Sequence, residues 1–267
     1  VKLSWEKAEM LVGKTWNPFA ETPFPSVAGL HTGIPFRPFG RGDQVRFTYK
    51  LTKEFNILAA AVYQSEHKST LEESAAGDVR SNPIPDFHLQ FHYKTPAFSA
   101  GILSEYKIIK PATETTGTNG TFKTSETLPS YALAVYADYK INLFNIKGSA
   151  VYGQNLSELF QQGGYAVKTQ DEETGRRTYT PSQSTSYWLN LTYGKVWQVG
   201  LFAGYQKNLG FKDNPLAGSA FFGRWQDVDH VYRISPSLKY YVRQWTFHAE
   251  VDYNVAAYGT VDYADKG

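Results

Sequence analysis

An all-β fold, a transmembrane antiparallel up-and-down β-barrel, is predicted by three features of the sequence. Apolar and polar residues alternate in a series of segments, short and long connections between the segments alternate, and aromatic residues recur at the segment ends. The composition agrees, because 16% of the 267 residues are aromatic and such residues favour strands. The chain has no cysteine, which excludes disulfides and thiolate metal sites.

Five segments share one pattern, in which Phe or Trp is followed by Tyr eight residues later. Because eight is even, both rings lie on the same face of a strand. In a strand tilted by about 40°, the rings differ in height by ~20 Å, close to the ~25 Å apolar band of outer-membrane barrels. The segments are FNILAAAVY (55–63), FSAGILSEY (98–106), FNIKGSAVY (144–152), WQVGLFAGY (197–205) and WTFHAEVDY (245–253).

Each of these segments follows a partner strand after only a few residues, which predicts five hairpins. The partner strands are 44–51, 87–94, 131–140, 187–194 and 232–242. A Tyr precedes each turn on the face of the other aromatic residues, at Tyr49, Tyr93, Tyr139, Tyr193 and Tyr240. Two less regular strands, 1–5 and 8–16, raise the number to twelve. Pro236 cannot donate to a β-ladder, so a bulge or a break in pairing is expected there.

Long connections separate the hairpins, at 17–42, 67–85, 109–129, 156–182 and 208–228. Loops of this length are uncommon in compact domains. In outer-membrane barrels, short turns lie at the periplasmic end and long loops at the outside. The sequence therefore predicts periplasmic short turns and extracellular long loops. The Pro- and Phe-containing segment 17–42 can fold inward as a constriction.

Soluble β folds explain the pattern less well. A propeller blade needs four short strands in each repeat, whereas this repeat has two long strands and a loop. A β-sandwich gives no reason for paired aromatic residues at fixed height, and lipocalin-like barrels lack alternating long loops. In a bilayer the apolar face must be turned to lipid. The polar face then lines a lumen.

The predicted pore lining carries a basic excess. On the ten clear strands, eight inward residues are basic and four are acidic, and basic rings favour anions in a pore. The net charge of +2 is too small to indicate nucleic acid. The predicted lining residues are the basic Arg46, Lys50, Lys94, Lys107, Lys140, Lys147, Arg233 and Lys239, the acidic Glu105, Asp138, Glu250 and Asp252, and additionally Lys14, His88, Gln90, His92 and His248.

Enzymatic and metal-binding interpretations are weaker. His88 and His92 share a strand face and can bind a metal, but histidines facing water explain them more simply. His248, Glu250 and Asp252 can form an acid–base group, as in an outer-membrane phospholipase. That chemistry needs a serine nucleophile placed by a histidine, and no serine stands out. We therefore expect no catalytic residue, no metal and no other cofactor.

The stretch EMLVGKTWNPFAETPFPS, followed by FRPFGRGDQVRFTYKL, resembles the DcaP-like porins of Gram-negative outer membranes. In that family a strand ending in G-Q-T-W leads into a loop, and an R-x-x-Q-[IV]-R-[FY] strand returns. The counterparts here are Gly13, Lys14, Thr15 and Trp16, with Lys14 in place of the glutamine, and then Arg41, Gln44, Val45, Arg46 and Phe47. The specific resemblance covers residues 8–51. It implies a trimeric, 16-stranded channel that passes small anions, especially dicarboxylates.

Together these observations predict a single outer-membrane β-barrel domain over residues 1–267, incomplete at both ends, with 16 strands in the complete protein. The expected function is passive diffusion of small polar solutes, with a preference for anions such as dicarboxylates. The expected partners are outer-membrane lipid, two further copies in a homotrimer and small anionic solutes. The alternative is a barrel subunit of a larger assembly or a non-conducting barrel with a plugging loop.

Overall fold

The computed structural model describes residues 1–29, 33–71 and 84–259. These residues form seventeen strands and two short 3-10 helices, Pro18–Glu21 and Ser157–Leu159. None of the helices in these ranges is long and apolar enough to cross a membrane. The strands are β1 (Lys2–Ser4), β2 (Ala8–Trp16), β3 (Arg41–Lys50), β4 (Phe55–Tyr63), β5 (Asp86–Lys94), β6 (Phe98–Ile109), β7 (Glu114–Gly117), β8 (Gly120–Lys123), β9 (Leu128–Ile141), β10 (Phe144–Gln154), β11 (Gly163–Gln170), β12 (Arg177–Gly194), β13 (Trp197–Phe211), β14 (Phe221–Arg224), β15 (Val228–Val242), β16 (Trp245–Glu250) and β17 (Tyr253–Tyr258).

One large antiparallel sheet follows the order of the chain. Its strands succeed one another as β1-β2-β3-β4-β5-β6-β9-β10-β12-β13-β15-β16, and β17 continues the line of β16 along β15. This gives twelve strand positions, as the sequence predicts, in an up-and-down arrangement. Strands β7 and β8 form a separate hairpin, and β11 and β14 extend from β12.

The five predicted hairpins are all present, and local chemistry explains two of their turns. Asn142 between β9 and β10 has a positive φ of 54°, a conformation that Asn tolerates better than most residues. Gly194 at the end of β12 has a φ of 122°. A Cβ there would lie 1.9 Å from the carbonyl oxygen of Trp197, so only glycine fits this turn.

The sheet has one polar and one apolar face, which we name accordingly. Along β3, Gln44 and Arg46 are buried on the polar face, whereas Val45 and Phe47 are exposed on the apolar face. The aromatic residues beside the short turns lie on the apolar face, and several of them contact one another. Ring centroids are 4.4 Å apart for Phe144 and Tyr193, and 4.3 Å apart for Trp197 and Tyr240. The prediction that the aromatic residues flanking the short turns share one face is confirmed.

Several strands extend further toward the long loops than the sequence predicts. β12 begins at Arg177 and β13 ends at Phe211, so they project ten and six residues beyond the predicted segments 187–194 and 197–205. β7, β8, β11 and β14 also lie within predicted loops. The extensions carry Ser, Thr and Gln on both faces, so the strands persist where hydrophobic alternation no longer marks them.

The predicted break near Pro236 is confirmed, but it falls in the neighbouring strand. Pro236 stays within β15 and lies opposite Leu201 of β13. On the other side of β15, the ladder stops at Ser237–Glu250 and resumes at Ile234–Tyr253. Residues 251 and 252 therefore separate β16 from β17. The missing amide proton of proline accounts for the gap.

The prediction that Lys14 lies on the polar face is wrong. Lys14 is paired in register with Asp43, and the next pair on this face is Val12 with Val45. Lys14 therefore lies on the apolar face at the long-loop end of β2, where its ammonium group contacts Glu66 at 3.0 Å. Three consecutive apolar residues, Met10–Val12, make the alternation of this strand ambiguous in the sequence.

Candidate functional site

The segment between β2 and β3 folds across the polar face, and we call its described residues, 17–29 and 33–40, the infolded loop. Phe19 is fully buried and packs into a cluster with Leu103 and Ala134 of the sheet. Phe36 packs against Phe202, with ring centroids 6.1 Å apart. A Cβ on Gly204 would lie 2.4 Å from the Phe36 ring, so this glycine makes room for the loop. The inward path anticipated for segment 17–42 is confirmed.

Arg37 holds the infolded loop in shape from within. Its guanidinium donates to the carbonyl oxygens of Ala20, Thr22 and Pro23, the last two at 2.8 and 3.1 Å. It also lies 3.8 Å from the centroid of the Phe24 ring. Burial lowers the pKa of Arg37 to about 10. The residue still carries its charge at neutral pH, because this value lies well above 7.

The tip of the loop is fastened to β15, β16 and the gap between β16 and β17, at a site we call the tip latch. Glu250 accepts hydrogen bonds from the backbone N–H groups of Ala28 and Gly29, at 2.8 and 3.0 Å. The buried guanidinium of Arg233 donates to Glu250, Asp252 and the carbonyl oxygen of Gly29, at 2.7, 2.7 and 2.9 Å. Glu250, the last residue of β16 before this irregular backbone, is thus the acid that accepts hydrogen bonds from the loop tip.

Further anchors lie along the rest of the infolded loop. Arg46 of β3 forms an ion pair with Glu21 and donates to the carbonyl oxygen of Trp16 at 2.8 Å. Ser26 accepts a hydrogen bond from Lys239 at 2.6 Å. Lys147 donates to the carbonyl oxygen of Phe24 at 3.2 Å. The loop therefore crosses the polar face from β3 to β16 with polar contacts at each end.

A second inward segment, residues 155–162, is held by an ion pair that is excluded from solvent. Lys107 of β6 pairs with Glu158 and also donates to the carbonyl oxygen of Asn155. Both side chains of the pair are 2% exposed. Ser69 donates to Glu158 at 3.2 Å, which joins a third loop to the pair. We call Lys107, Glu158, Asn155 and Ser69 the Lys107 network.

The structure places all other predicted lining residues on the polar face but divides them into two groups. The residues that the two inward segments cover are buried and do not border open space; they are Arg46, His88, Gln90, Glu105, Lys107 and Arg233. The residues nearer the short turns keep some exposure, and they are Lys50, His92, Lys94, Asp138, Lys140, Lys147, Lys239 and His248. Between the two groups lie Glu250, with a side chain that is 3% exposed, and the more exposed Asp252, both in the tip latch.

Two of the three covered basic residues are neutralised by acids that the sequence does not single out. Glu21 and Glu158 pair with Arg46 and Lys107. Both acids lie in long connections without a periodic pattern, so strand parity cannot place them. Arg233, in contrast, pairs with Glu250 and Asp252, which parity places on the same face. The predicted basic excess is therefore borne by the exposed lysines near the short turns.

The two histidines considered for a metal have different surroundings. His92 contacts the hydroxyl of Tyr136 at 2.8 Å and the amide oxygen of Gln90 at 2.9 Å. His88 is buried against the Phe19 ring, with centroids 5.7 Å apart. Within the described ranges, no three His, Cys, Asp or Glu side chains are arranged to hold a metal ion.

A cavity of about 610 Å³ lies between the infolded loop and the short-turn end of β5, β6, β9 and β10. We call it the short-turn cavity. Its border combines ammonium groups, carboxylates, hydroxyls and apolar side chains. The lining includes Pro23, Phe24, Lys94, Pro96, Ser99, Tyr136, Asp138, Lys140 and Lys147.

Comparisons with known proteins identify the fold. No protein-family profile and no curated protein matches the chain. Among solved structures, the chain is similar to the outer membrane channel DcaP of Acinetobacter baumannii, with a TM-score of 0.68 and 16% identity over 96% of this chain and 68% of that one. Outer-membrane expressed OmpT of Vibrio cholerae gives a TM-score of 0.58, with 11% identity over 96% and 69%. An anion-selective porin from Comamonas acidovorans gives 0.55, with 11% identity over 96% and 66%.

The chain therefore has the fold of outer-membrane porins, a transmembrane antiparallel up-and-down β-barrel. The predicted fold class and the resemblance to DcaP-like porins are confirmed at the level of structure. Identities of 11–16% establish the fold alone. The total of 16 strands stays a prediction.

Proposed function

We propose that this chain is an outer-membrane porin through which small polar solutes diffuse passively, with a preference for anions such as dicarboxylates. The observation that carries the proposal is the infolded loop, which crosses the polar face while leaving lysines beside it accessible. A loop that narrows a polar lumen selects solutes by size and charge. The chain is a channel and not an enzyme in this proposal.

The charge argument for anions rests on the lysines that the acids leave free. Arg46 and Lys107 are compensated by Glu21 and Glu158 of the inward segments, and Arg233 by Glu250 of β16. Lys50, Lys94 and Lys140 are exposed, and Lys147 and Lys239 are partly exposed. Asp138 beside them accepts a hydrogen bond from Asn145 at 2.5 Å. Positive groups in a narrow, low-dielectric passage concentrate anions.

The solved structures with a similar fold support the proposed role as an outer-membrane channel. One of them is an anion-selective porin and another is an outer membrane channel. We propose an outer-membrane location with periplasmic short turns and extracellular long loops, and a homotrimeric assembly in lipid. The second candidate is a non-conducting barrel in a larger assembly, since the infolded loop covers much of the polar face. Conductance in a planar bilayer separates the two.

Ion selectivity tests the proposal directly. A salt gradient across a planar bilayer should give a reversal potential of anion-selective sign. Replacing Lys94, Lys140 and Lys147 together by Glu should move the reversal potential toward the cation value, because three accessible positive charges become negative. The control is Lys123→Glu in the exposed β8 hairpin, which should leave the sign unchanged. A cation-selective wild-type channel, or no conductance, contradicts the proposal.

Membrane embedding gives a second expected result. Val135 is exposed at the middle of β9 on the apolar face. Arginine there should lower the free energy of unfolding by ~2–4 kcal/mol, as for charges on the lipid face of outer-membrane barrels near the midplane. Refolding titrations in lipid vesicles measure this. Ser237→Arg on the polar face of β15, partly exposed and at a similar distance from its short turn, is the control and should cost much less. Equal costs would contradict a lipid-facing apolar face.

A further inference from the structure

We infer that the short-turn cavity is a binding site for an aromatic carboxylate. The site is placed on the periplasmic side of the infolded loop. The inference rests on the proposed channel function for its biological meaning. The site itself is defined by contacts that do not depend on conduction.

The cationic side of the cavity is a row of neighbouring positions on four strands. Lys94 is opposite Ser99, Ser99 is opposite Asp138, and Asp138 is opposite Lys147. With ~4.8 Å between strands, the two lysines at the ends of the row stand about 14 Å apart at the backbone. Their flexible side chains can reach toward a common anion from both sides. Lys140, two residues after Asp138, adds a third ammonium group.

Each of the three ammonium groups can still donate hydrogen bonds to a ligand. Lys147 makes one hydrogen bond, to the carbonyl oxygen of Phe24 at 3.2 Å, and a lysine has three donors. Lys94 and Lys140 are exposed. Asp138 keeps its negative charge while it accepts a hydrogen bond from Asn145 at 2.5 Å, so three ammonium groups of the row face one carboxylate. Glu21 at the rim is bound to Arg46. The row therefore presents a positive surface.

Apolar and aromatic side chains also border the cavity. Pro23, Phe24 and Pro96 line it, together with Tyr136. The hydroxyl of Tyr136 contacts Nδ1 of His92 at 2.8 Å, which fixes the ring. A Cβ at Gly101 would lie 2.4 Å from this ring, so glycine lets Tyr136 lie flat across the neighbouring strand. These surfaces bind a ring better than they bind water.

The combination selects the class of ligand. A volume of about 610 Å³ falls within the ~300–1,000 Å³ of small-molecule sites. Inorganic anions use only the lysine row, whereas neutral aromatic molecules use only the apolar side. A carboxylate attached to a compact ring uses both.

Calorimetric titration of the protein in lipid nanodiscs with sodium benzoate tests the inference. Benzoate should bind saturably and at least about tenfold more tightly than acetate, which lacks the ring, or benzamide, which lacks the charge. Lys94→Met with Lys147→Met should weaken benzoate binding at least about tenfold. Lys195→Met, an exposed lysine in the β12–β13 turn, should leave it unchanged. Lys140→Met gives an independent result if the double variant does not fold.

Three outcomes would overturn the site. Equal affinity for acetate and benzoate excludes recognition of the ring. Equal affinity for benzamide and benzoate shows partition into lipid. Benzoate affinity unchanged in both Lys94→Met/Lys147→Met and Lys140→Met places the ligand elsewhere. If benzoate does not bind but the conductance is anion-selective, the binding site is wrong and the proposed function stands. If benzoate binds saturably but the protein does not conduct, the binding site is supported and the channel function is contradicted.

Discussion

Replacing Lys107 by Met should lower the free energy of unfolding by about 3–5 kcal/mol, because it leaves the buried carboxylate of Glu158 without its cation. Both side chains are 2% exposed, so water cannot replace the lost partner. The substitution also removes the donor to the carbonyl oxygen of Asn155. Urea titration of the protein folded into lipid vesicles measures the change. Lys123→Met on the exposed β8 strand should change stability by less than about 0.5 kcal/mol.

A double variant distinguishes pairing from packing. Lys107→Met combined with Glu158→Gln removes both charges, and much of the lost stability should return, since neutral residues of similar size often replace buried pairs at little cost. If the double variant is as unstable as the sum of the two single variants, the ion pair does not account for the effect. The Lys107 network would then contribute through packing alone.

The faces of the strands can be predicted from the sequence where the alternation is strict. In β3 and β15, Arg46 and Arg233 lie on the predicted face, because a period of two fixes every side chain once the apolar set is known. In β2, the apolar run of Met10, Leu11 and Val12 supports either parity. Only the register with β3 decides the face of Lys14.

The cover on the polar face cannot be predicted in the same way. The alternation of side chains identifies residues on the polar face, but it does not show which of them the loops will bury. Glu21 and Glu158 lie in connections without period, and long-range contacts join them to Arg46 and Lys107. The Pro and Phe content of segment 17–42 does indicate a packed loop. Phe19 and Phe36, both nearly fully buried, show this to be right.

The two inward segments differ in how they are held, and this has a functional consequence. Residues 155–162 are fixed by the solvent-excluded Lys107 network, and loss of that network affects stability. The tip of the infolded loop is attached to the edge of the described sheet by two hydrogen bonds to Glu250 and one to Arg233, which also pairs with Glu250. Loss of the tip latch should release the loop while the wall stays folded, because the strands of the wall pair through their own backbones.

Replacing Arg233 by Met should therefore raise the single-channel conductance and make it fluctuate. The change leaves Glu250 and Asp252 without their shared cation and removes the donor to Gly29, and breaking such a buried pair costs about 3–5 kcal/mol. Glu250, which accepts from the Ala28 and Gly29 N–H groups, loses the cation that orients it, so the loop tip should detach more often than in the wild type. Planar-bilayer recordings measure the effect.

The control for the tip latch is Arg243→Met, an exposed arginine in the β15–β16 turn. It removes a positive charge beside the short-turn end of β15, ten residues after Arg233, without touching the loop, so the open current should stay quiet and of wild-type size. Cysteines at Ala28 and Glu250 can be joined by a reducible bifunctional reagent in the Arg233→Met background, since the Ala28 N–H and the Glu250 carboxylate are 2.8 Å apart in the native latch. Reduction should bring back the fluctuations that the crosslink suppresses. Conductance in Arg233→Met that equals wild type, with or without the crosslink, would show that the loop tip does not control the passage.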